Sequence, residues 1–116
     1  MDGLENIKVY NMTPEGDWEI RNLKDSPFYL SLKHQSRKIY EKYYKTLTES
    51  SQFKRMPKFK RESELTYDEF IDLYRNIKTN GVCKSFKPMF DENNILIDGQ
   101  HRVAIIYHLS KINEKS

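Results

Sequence analysis

The segment Ile95–Leu109, which reads ILIDGQHRVAIIYHL, constrains the fold more than any other part of the chain. Its first three residues, Ile95–Ile97, form an apolar run typical of a buried strand. Val103–Leu109 is apolar nearly all round, which predicts a helix buried on several sides. Gly99 lies between them and lets the chain reverse sharply, in a conformation that can require a positive φ. We therefore expect a strand, a tight turn and a helix.

The start of this helix combines an acidic residue with two basic ones. Asp98 can accept hydrogen bonds from the free amides of the first helical turn. His101 and Arg102 lie in that turn, where a positive charge opposes the helix macrodipole by ~0.3–1 kcal/mol. A bound anion would reverse this sign, because the backbone amides, the dipole and both side chains would converge on it. The alternative is that Asp98 only caps the helix and pairs with Arg102, with His101 exposed to solvent. Spacing alone leaves both interpretations open.

Two further helices are predicted from local signals. Ser26-Pro27 is a capping residue followed by proline at the first helical position, and an apolar stripe follows it. Gln35 and Ser36 interrupt that stripe, so either one long helix or two shorter ones can form. Downstream, Thr66 and Glu69 stand at capping-box spacing. Asn80 and Gly81 end that second helix as a left-handed cap would.

The strand signals are weaker. Ile7–Tyr10 alternates and is expected to be an edge strand, followed by a turn over Thr13–Asp17. Ser85–Phe90 also alternates and is expected to pair with Ile95–Ile97 in a hairpin, through a turn at Asp91–Asn94. We therefore predict an α+β domain over residues 1–116, with a small mixed sheet that carries the hairpin of residues 85–98. Helices near residues 27–47, 66–80 and 100–111 would pack against it.

The sequence Asp98–Arg102, DGQHR, resembles the DG-x-HR box of the ParB/sulfiredoxin superfamily. Like that box, it follows an apolar strand and leads into an Ala-containing apolar helix. Thr66–Gly81 is similar to the helix-then-glycine segment of ParB-like nuclease domains, and Phe86–Phe90 to the strand before the box. The resemblance covers residues 65–110 well and residues 1–64 hardly at all. DGQHR-domain proteins are associated with DNA modification and phage defence, which points to a bacterial or phage origin.

In that superfamily the box binds phosphates: sulfiredoxin uses ATP, ParB partition proteins use CTP, and ParB-like serine kinases transfer phosphate. The resemblance therefore implies a nucleotide-binding protein that uses ATP or CTP with Mg²⁺, as a phosphotransferase or NTPase. It implies catalytic roles for Asp98 and His101, with Asp98 also near the metal ion. It implies phosphate contacts for Gly99, Gln100, His101 and Arg102. Gln100 stands where sulfiredoxin has its reactive cysteine, so reduction of a sulfinic acid is excluded.

The charge distribution suggests a competing function. Residues 26–61 carry a net charge of +8, whereas residues 1–25 and 62–116 carry −3 and −2. Within this region Gln52–Arg61 reads QFKRMPKFKR, and basic residues interleaved with aromatic ones suit nucleic-acid backbones and stacked bases. The stretch can equally be a half-buried strand with a solvated basic side, or it can flank the bound phosphates. The alternative function is thus a non-catalytic DNA- or RNA-associated module using Lys54, Arg55, Lys58, Lys60 and Arg61.

The remaining reactive side chains give few signals. Cys83 is the only cysteine, which excludes an intramolecular disulfide, and we expect a small buried residue there, with a reactive thiolate as the alternative. His34 and His108 lack partners at metal-ligand spacing, so no structural metal is predicted. Candidates for a second catalytic carboxylate are Glu62, Glu64 and Glu69.

The chain shows no targeting or membrane signal. Its apolar runs are far shorter than the ~18 residues of a membrane span. Acidic residues near the start replace the basic region of a secretory leader, so a cytoplasmic protein is expected. The sequence does not determine the oligomeric state.

Overall fold

Four strands form one mixed sheet in the computed structural model, which describes residues 4–50 and 65–114. They are β1 (Lys8–Met12), β2 (Trp18–Asn22), β3 (Met89–Phe90) and β4 (Ile95–Asp98), in the order β2-β1-β4-β3. The pairs β1–β2 and β3–β4 are antiparallel, whereas β1 and β4 run parallel. The predicted α+β class with a small mixed sheet is confirmed.

Four α-helices accompany the sheet in the described ranges. They are α1 (Pro27–Lys33), α2 (Arg37–Glu49), α3 (Tyr67–Asn80) and α4 (Gln100–Glu114). Short 3-10 turns lie at Leu4–Asn6 and Leu23–Asp25. In the described part of the chain, no helix is long and apolar enough to cross a membrane.

The region after Ser26 forms two helices and not one. The Ser26 hydroxyl accepts the Tyr29 amide and caps α1, as the sequence predicts. The helical conformation is interrupted at Gln35, which has a left-handed φ of 50°. The Ser36 hydroxyl then accepts the Ile39 amide and so caps the start of α2. The polar pair that interrupts the apolar stripe is therefore a true helix boundary.

The boundaries of α3 are those that the sequence predicts. The Thr66 hydroxyl accepts the Glu69 amide at 3.1 Å, and the Glu69 carboxylate accepts the Thr66 amide at 2.9 Å. This reciprocal pair is the expected capping box. Gly81 ends the helix with φ of 78°, and its amide donates to the Ile77 carbonyl.

The strand predictions need three corrections. β1 lies between β2 and β4, so the predicted edge strand is an interior one. β2 was not predicted, because WEIRN lacks a run of β-branched or apolar residues. β3 has only two residues, since Phe86 donates to the Cys83 carbonyl in a turn and Pro88 has no amide for pairing. The hairpin of residues 85–98 is thus shorter than expected, although its turn at Asp91–Asn94 forms.

One face of the sheet carries the core of the described fold. Val9 on β1 and Leu96 on β4 are adjacent in register and almost completely buried. Ala104 and Ile105 of α4 are fully buried as well, and they belong to the same cluster. This packing fixes the position of the N-terminus of α4 relative to the ends of β1 and β4.

The capping box gives a test of the α3 boundary. Changing Thr66 to Ala removes the side-chain acceptor for the Glu69 amide, so we expect the free energy of unfolding to fall by about 1 kcal/mol in urea denaturation. Thr79→Ala is the matched control, because Thr79 is exposed in the last turn of α3 and its change to Ala should have little effect. Equal losses for both variants would contradict a stabilising cap at Thr66.

Candidate functional site

The turn between β4 and α4 requires a glycine. Gly99 has φ of +92°, and a Cβ atom built there would lie 2.9 Å from two ring carbons of Phe86. Its carbonyl accepts the Val103 amide at 3.0 Å, which makes Gly99 the residue that opens the helix. Asp98 is the last residue of β4, so it precedes the helix by two positions.

Arg102 presents an exposed cation in the first turn of α4. Its Cζ atom lies 5.6 Å from the centroid of Phe86, the ring that also fills the space beside Gly99. Within residues 4–50 and 65–114, neither Arg102 nor Asp98 has an ion pair, so the alternative in which they pair with each other is not observed. The ring of Phe86 thus lies beside both Gly99 and Arg102, and the sequence did not single it out.

His101 is packed among aromatic rings instead of facing solvent. Its ring stacks on Phe28 with centroids 4.3 Å apart, and Phe70 approaches it edge-on at 5.5 Å. Its Nε2 atom lies 2.8 Å from the Tyr44 hydroxyl oxygen and 3.3 Å from that of Tyr40. Rings from α1, α2 and α3 therefore hold the imidazole, and this environment was not predicted.

The packing changes the charge at the helix start. Burial, together with the positive charge of Arg102, lowers the pKa of His101 to about 4. At neutral pH the imidazole is uncharged, so of the two basic side chains in this turn only Arg102 opposes the macrodipole.

The Gln100 side chain faces β1 and not the helix start. Its Oε1 accepts a hydrogen bond from Asn11 Nδ2 at 2.9 Å, and its Nε2 donates one to the Tyr10 carbonyl at 3.4 Å. Asn11 is completely buried and also donates to the Tyr43 hydroxyl. The side chain of Gln100 therefore links α4 to β1, which leaves only its main-chain amide at the start of the helix.

A cavity of about 380 Å³ lies between α2 and the start of α3. Tyr40 and Tyr44, whose hydroxyl groups contact His101, both line this cavity. The cavity therefore lies next to the cluster formed by Tyr40, Tyr44 and His101. Its described lining residues are Tyr40, Glu41, Tyr44, Leu65, Thr66 and Tyr67.

Several predicted residues lie outside the described ranges. These are the basic residues Lys54, Arg55, Lys58, Lys60 and Arg61, together with Glu62 and Glu64. The third candidate carboxylate, Glu69, accepts the Thr66 amide in the capping box. Among the described residues, no group of three or more His, Cys, Asp or Glu side chains is placed to hold a metal ion.

Cys83 is exposed, so the expectation of a small buried residue is wrong. It lies in the loop between α3 and β3, where its thiol is 3.0 Å from the Ser85 hydroxyl. Hydrogen bonds from Ser85 and the charge of Arg102 lower the pKa of this thiol. His108 is half-buried, with its ring against Tyr74, whereas His34 is exposed.

The turn at Gly99 predicts a specific difference between two glycines. Gly99→Ala and Gly81→Ala both force an L-residue into positive φ, which costs about 1–3 kcal/mol. Only Gly99→Ala also drives a Cβ into Phe86, since nothing lies within 4 Å of a Cβ at Gly81. We expect the free energy of unfolding in urea to fall more for Gly99→Ala. An equal loss would show that the Phe86 contact does not restrict this position.

The buried imidazole predicts a pH dependence of stability. His101 has a folded pKa of about 4, below its unfolded value, so its unfolded form takes up a proton first. The contribution of the neutral His101 ring to the free energy of unfolding is therefore fully present above about pH 6.5 and is lost as the pH falls toward 4. Between pH 7 and pH 5 we expect a loss of about 1–2 kcal/mol, measured by urea denaturation. His101→Asn should remove most of this slope, and an unchanged slope would contradict the assignment.

Comparison of the chain with protein-family models, with curated proteins and with solved structures finds no match. The similarity to the DG-x-HR box is therefore limited to a short sequence motif, and the functional inference rests on the geometry around it.

Proposed function

We propose that the N-terminus of α4 binds the phosphate groups of a nucleotide, in the manner of ParB/sulfiredoxin-like proteins. The observation that carries the proposal is the exposed cation of Arg102, which has no acidic partner among the described residues and lies in the first turn of a long helix. A cation in that position is unfavourable in the free protein and favourable beside an anion.

The donors at this turn suit a phosphate. The amides of the first helical turn have no partners within the helix, and a planar guanidinium can donate two parallel hydrogen bonds to phosphate oxygens. Contact between Arg102 and the ring of Phe86 limits the positions of the guanidinium. Less side-chain entropy is then lost when the anion binds.

Asp98 supplies the chemistry that a transfer reaction would need. Its carboxylate lies at the end of β4, two residues before α4, and has no ion pair in ranges 4–50 and 65–114. A carboxylate there fits the Mg²⁺ ion that accompanies ATP or CTP, or a base that accepts a proton from the attacking group. On this proposal the protein is a phosphotransferase or an NTPase. Sulfiredoxin chemistry is excluded by Gln100, whose side chain binds β1.

Thermal-shift measurements with ATP, CTP, GTP and ADP, each with Mg²⁺, test the proposal. A ligand at 100 times its Kd stabilises the folded state by about 2.7 kcal/mol, so at least one nucleotide should raise the Tm by several degrees. Arg102→Ala should abolish the shift. Arg75→Ala is the matched control, because Arg75 is an exposed arginine of α3 and its change removes the same charge.

The proposal is wrong if no nucleotide stabilises the wild-type protein, or if Arg102→Ala leaves the shift intact. The nucleic-acid module is tested separately, by measuring salt-dependent DNA binding of Arg102→Ala and of a variant in which the five basic residues of 52–61 are neutralised. Binding that survives the first change but fails with the second would support the nucleic-acid module instead.

A further inference from the structure

The two edges of the sheet differ in their protection against further strand pairing. β3, at one edge, has only two residues, a register shift against β4, and Pro88 directly before it. Short strands, irregular pairing and proline all hinder the addition of another strand. β2, at the other edge, has five residues in unbroken register with β1 and contains neither proline nor lysine. Among the strands that the structure describes, β2 therefore forms the open edge.

The backbone of Ile20 directs its hydrogen-bonding groups away from β1. Just beyond the end of β2, the Leu23 amide donates to the Ile7 carbonyl at 2.9 Å. Hydrogen-bonded pairs alternate with non-bonded pairs along an antiparallel ladder. In the register of β1 with β2, steps of two from this bond make Arg21 and Glu19 the residues of β2 that bond to β1. The amide and carbonyl of Ile20 therefore point toward the open edge.

The side chain of Ile20 stands at the end of an apolar row across the sheet. Ile20 lies opposite Tyr10, and continuation of the parallel register of β1 with β4 brings Tyr10 beside Ile97. Successive side chains of a strand alternate between faces, so this row lies on the face opposite to that of buried Val9. Ile20 is the exposed end of the row. A strand added to β2 would cover it.

The charges of β2 indicate which strand fits this edge. Glu19 and Arg21 flank Ile20 and form an ion pair within the strand. If a second β2 lies antiparallel with its Ile20 opposite Ile20, each Glu19 faces the partner's Arg21, and the four charges alternate in sign. Pairing centred on Glu19 or on Arg21 would instead place like charges directly opposite, which is destabilising. The strand is therefore complementary to itself in the register centred on Ile20.

We propose that β2 pairs antiparallel with β2 of a second copy of this chain, centred on Ile20, and joins the two sheets into one. The dimer is two-fold symmetric, because both copies use the same surface. The two Ile20 residues exchange their amide–carbonyl hydrogen bonds at the axis. One pair of five-residue strands is a small interface, so the dimer dissociates on dilution. The proposal is independent of the anion site, since β1 separates β2 from β4.

Sedimentation velocity of the wild-type protein from about 10 µM to about 1 mM tests self-association, and the dimer fraction should rise with concentration. Hydrogen exchange measured by NMR over the same range locates the interface. The Ile20 amide should exchange several-fold more slowly at high concentration, because it donates to the partner's Ile20 in the dimer. The Arg21 amide, which bonds to β1 in either state, is the internal control.

The wild-type protein alone can overturn the proposal. A chain that stays monomeric at the highest concentration would leave this edge to a strand of another protein. A dimer in which exchange of the Ile20 amide does not slow would use a different surface. Either result contradicts pairing through β2, whether or not any variant folds.

Ile20→Lys and Met89→Lys form a matched pair, because each places the same charge on an exposed apolar residue of an edge strand. The two side chains are 52% and 48% exposed. Ile20→Lys brings two ammonium groups together at the axis and should abolish the dimer. Met89→Lys alters β3 and should leave the dimer intact. Equal effects of the two changes would contradict the assignment to β2.

Charge reversal tests the register. Glu19→Arg and Arg21→Glu should each stay monomeric, since every facing pair then has like charges. An equimolar mixture of the two variants should form a dimer, because each arginine then faces a glutamate of the other variant. A mixture that stays monomeric, while the wild-type protein dimerises, would overturn the register centred on Ile20.

Discussion

The ring of Phe28 is the contact on which the arrangement of the helices depends. It belongs to α1 and lies within 6.0 Å, centroid to centroid, of rings from α2, α3 and α4, His101 among them. Aromatic pairs at such separations contribute about 0.5–1.5 kcal/mol each beyond the area that they bury. Because His101 is one of these rings, the start of α4 is held by the same core that holds the other helices together.

This shared packing separates two roles that the sequence places side by side. His101 and Arg102 are consecutive, and as residue types both look like cations directed at a ligand. The structure removes the charge from one of them, because burial among aromatic rings leaves His101 neutral. Arg102 remains exposed and is supported by Phe86. A single cation opposes the helix dipole, which lessens the destabilisation of the free protein.

The parts of the fold that could be predicted are those formed by interactions between residues close together in the sequence. The starts of α1 and α3 follow from Ser26 and Thr66, whose hydroxyl groups bond to amides three residues away. The strand, glycine turn and helix at Gly99 follow from apolar runs and one flexible residue. The interior place of β1 could not be read from Ile7–Tyr10, because its second neighbour, β4, comes from the other end of the chain.

The environment of His101 was missed for the same reason. The apolar and tyrosine stripe of α2 does indicate a buried face, but nothing local shows that Tyr44 meets a histidine far along the sequence. The tyrosine-rich face of α2 indicates that polar partners are present, and His101 is one candidate, but the sequence does not select it over other polar residues.

The parallel pairing of β1 with β4 also has a consequence for the order of folding. Lys8 aligns with Ile95, and Val9 with Leu96, so this ladder closes a loop containing most of the chain. Closing so long a loop has a large entropic cost, and contacts between distant residues are slow to form. During synthesis, β1, β2, α1 and α2 leave the ribosome long before β4 and α4. The α4 partners of Asn11 and Phe28, which are Gln100 and His101, are therefore synthesised later than both residues, and the turn at Gly99 forms only after β4 and α4 have emerged.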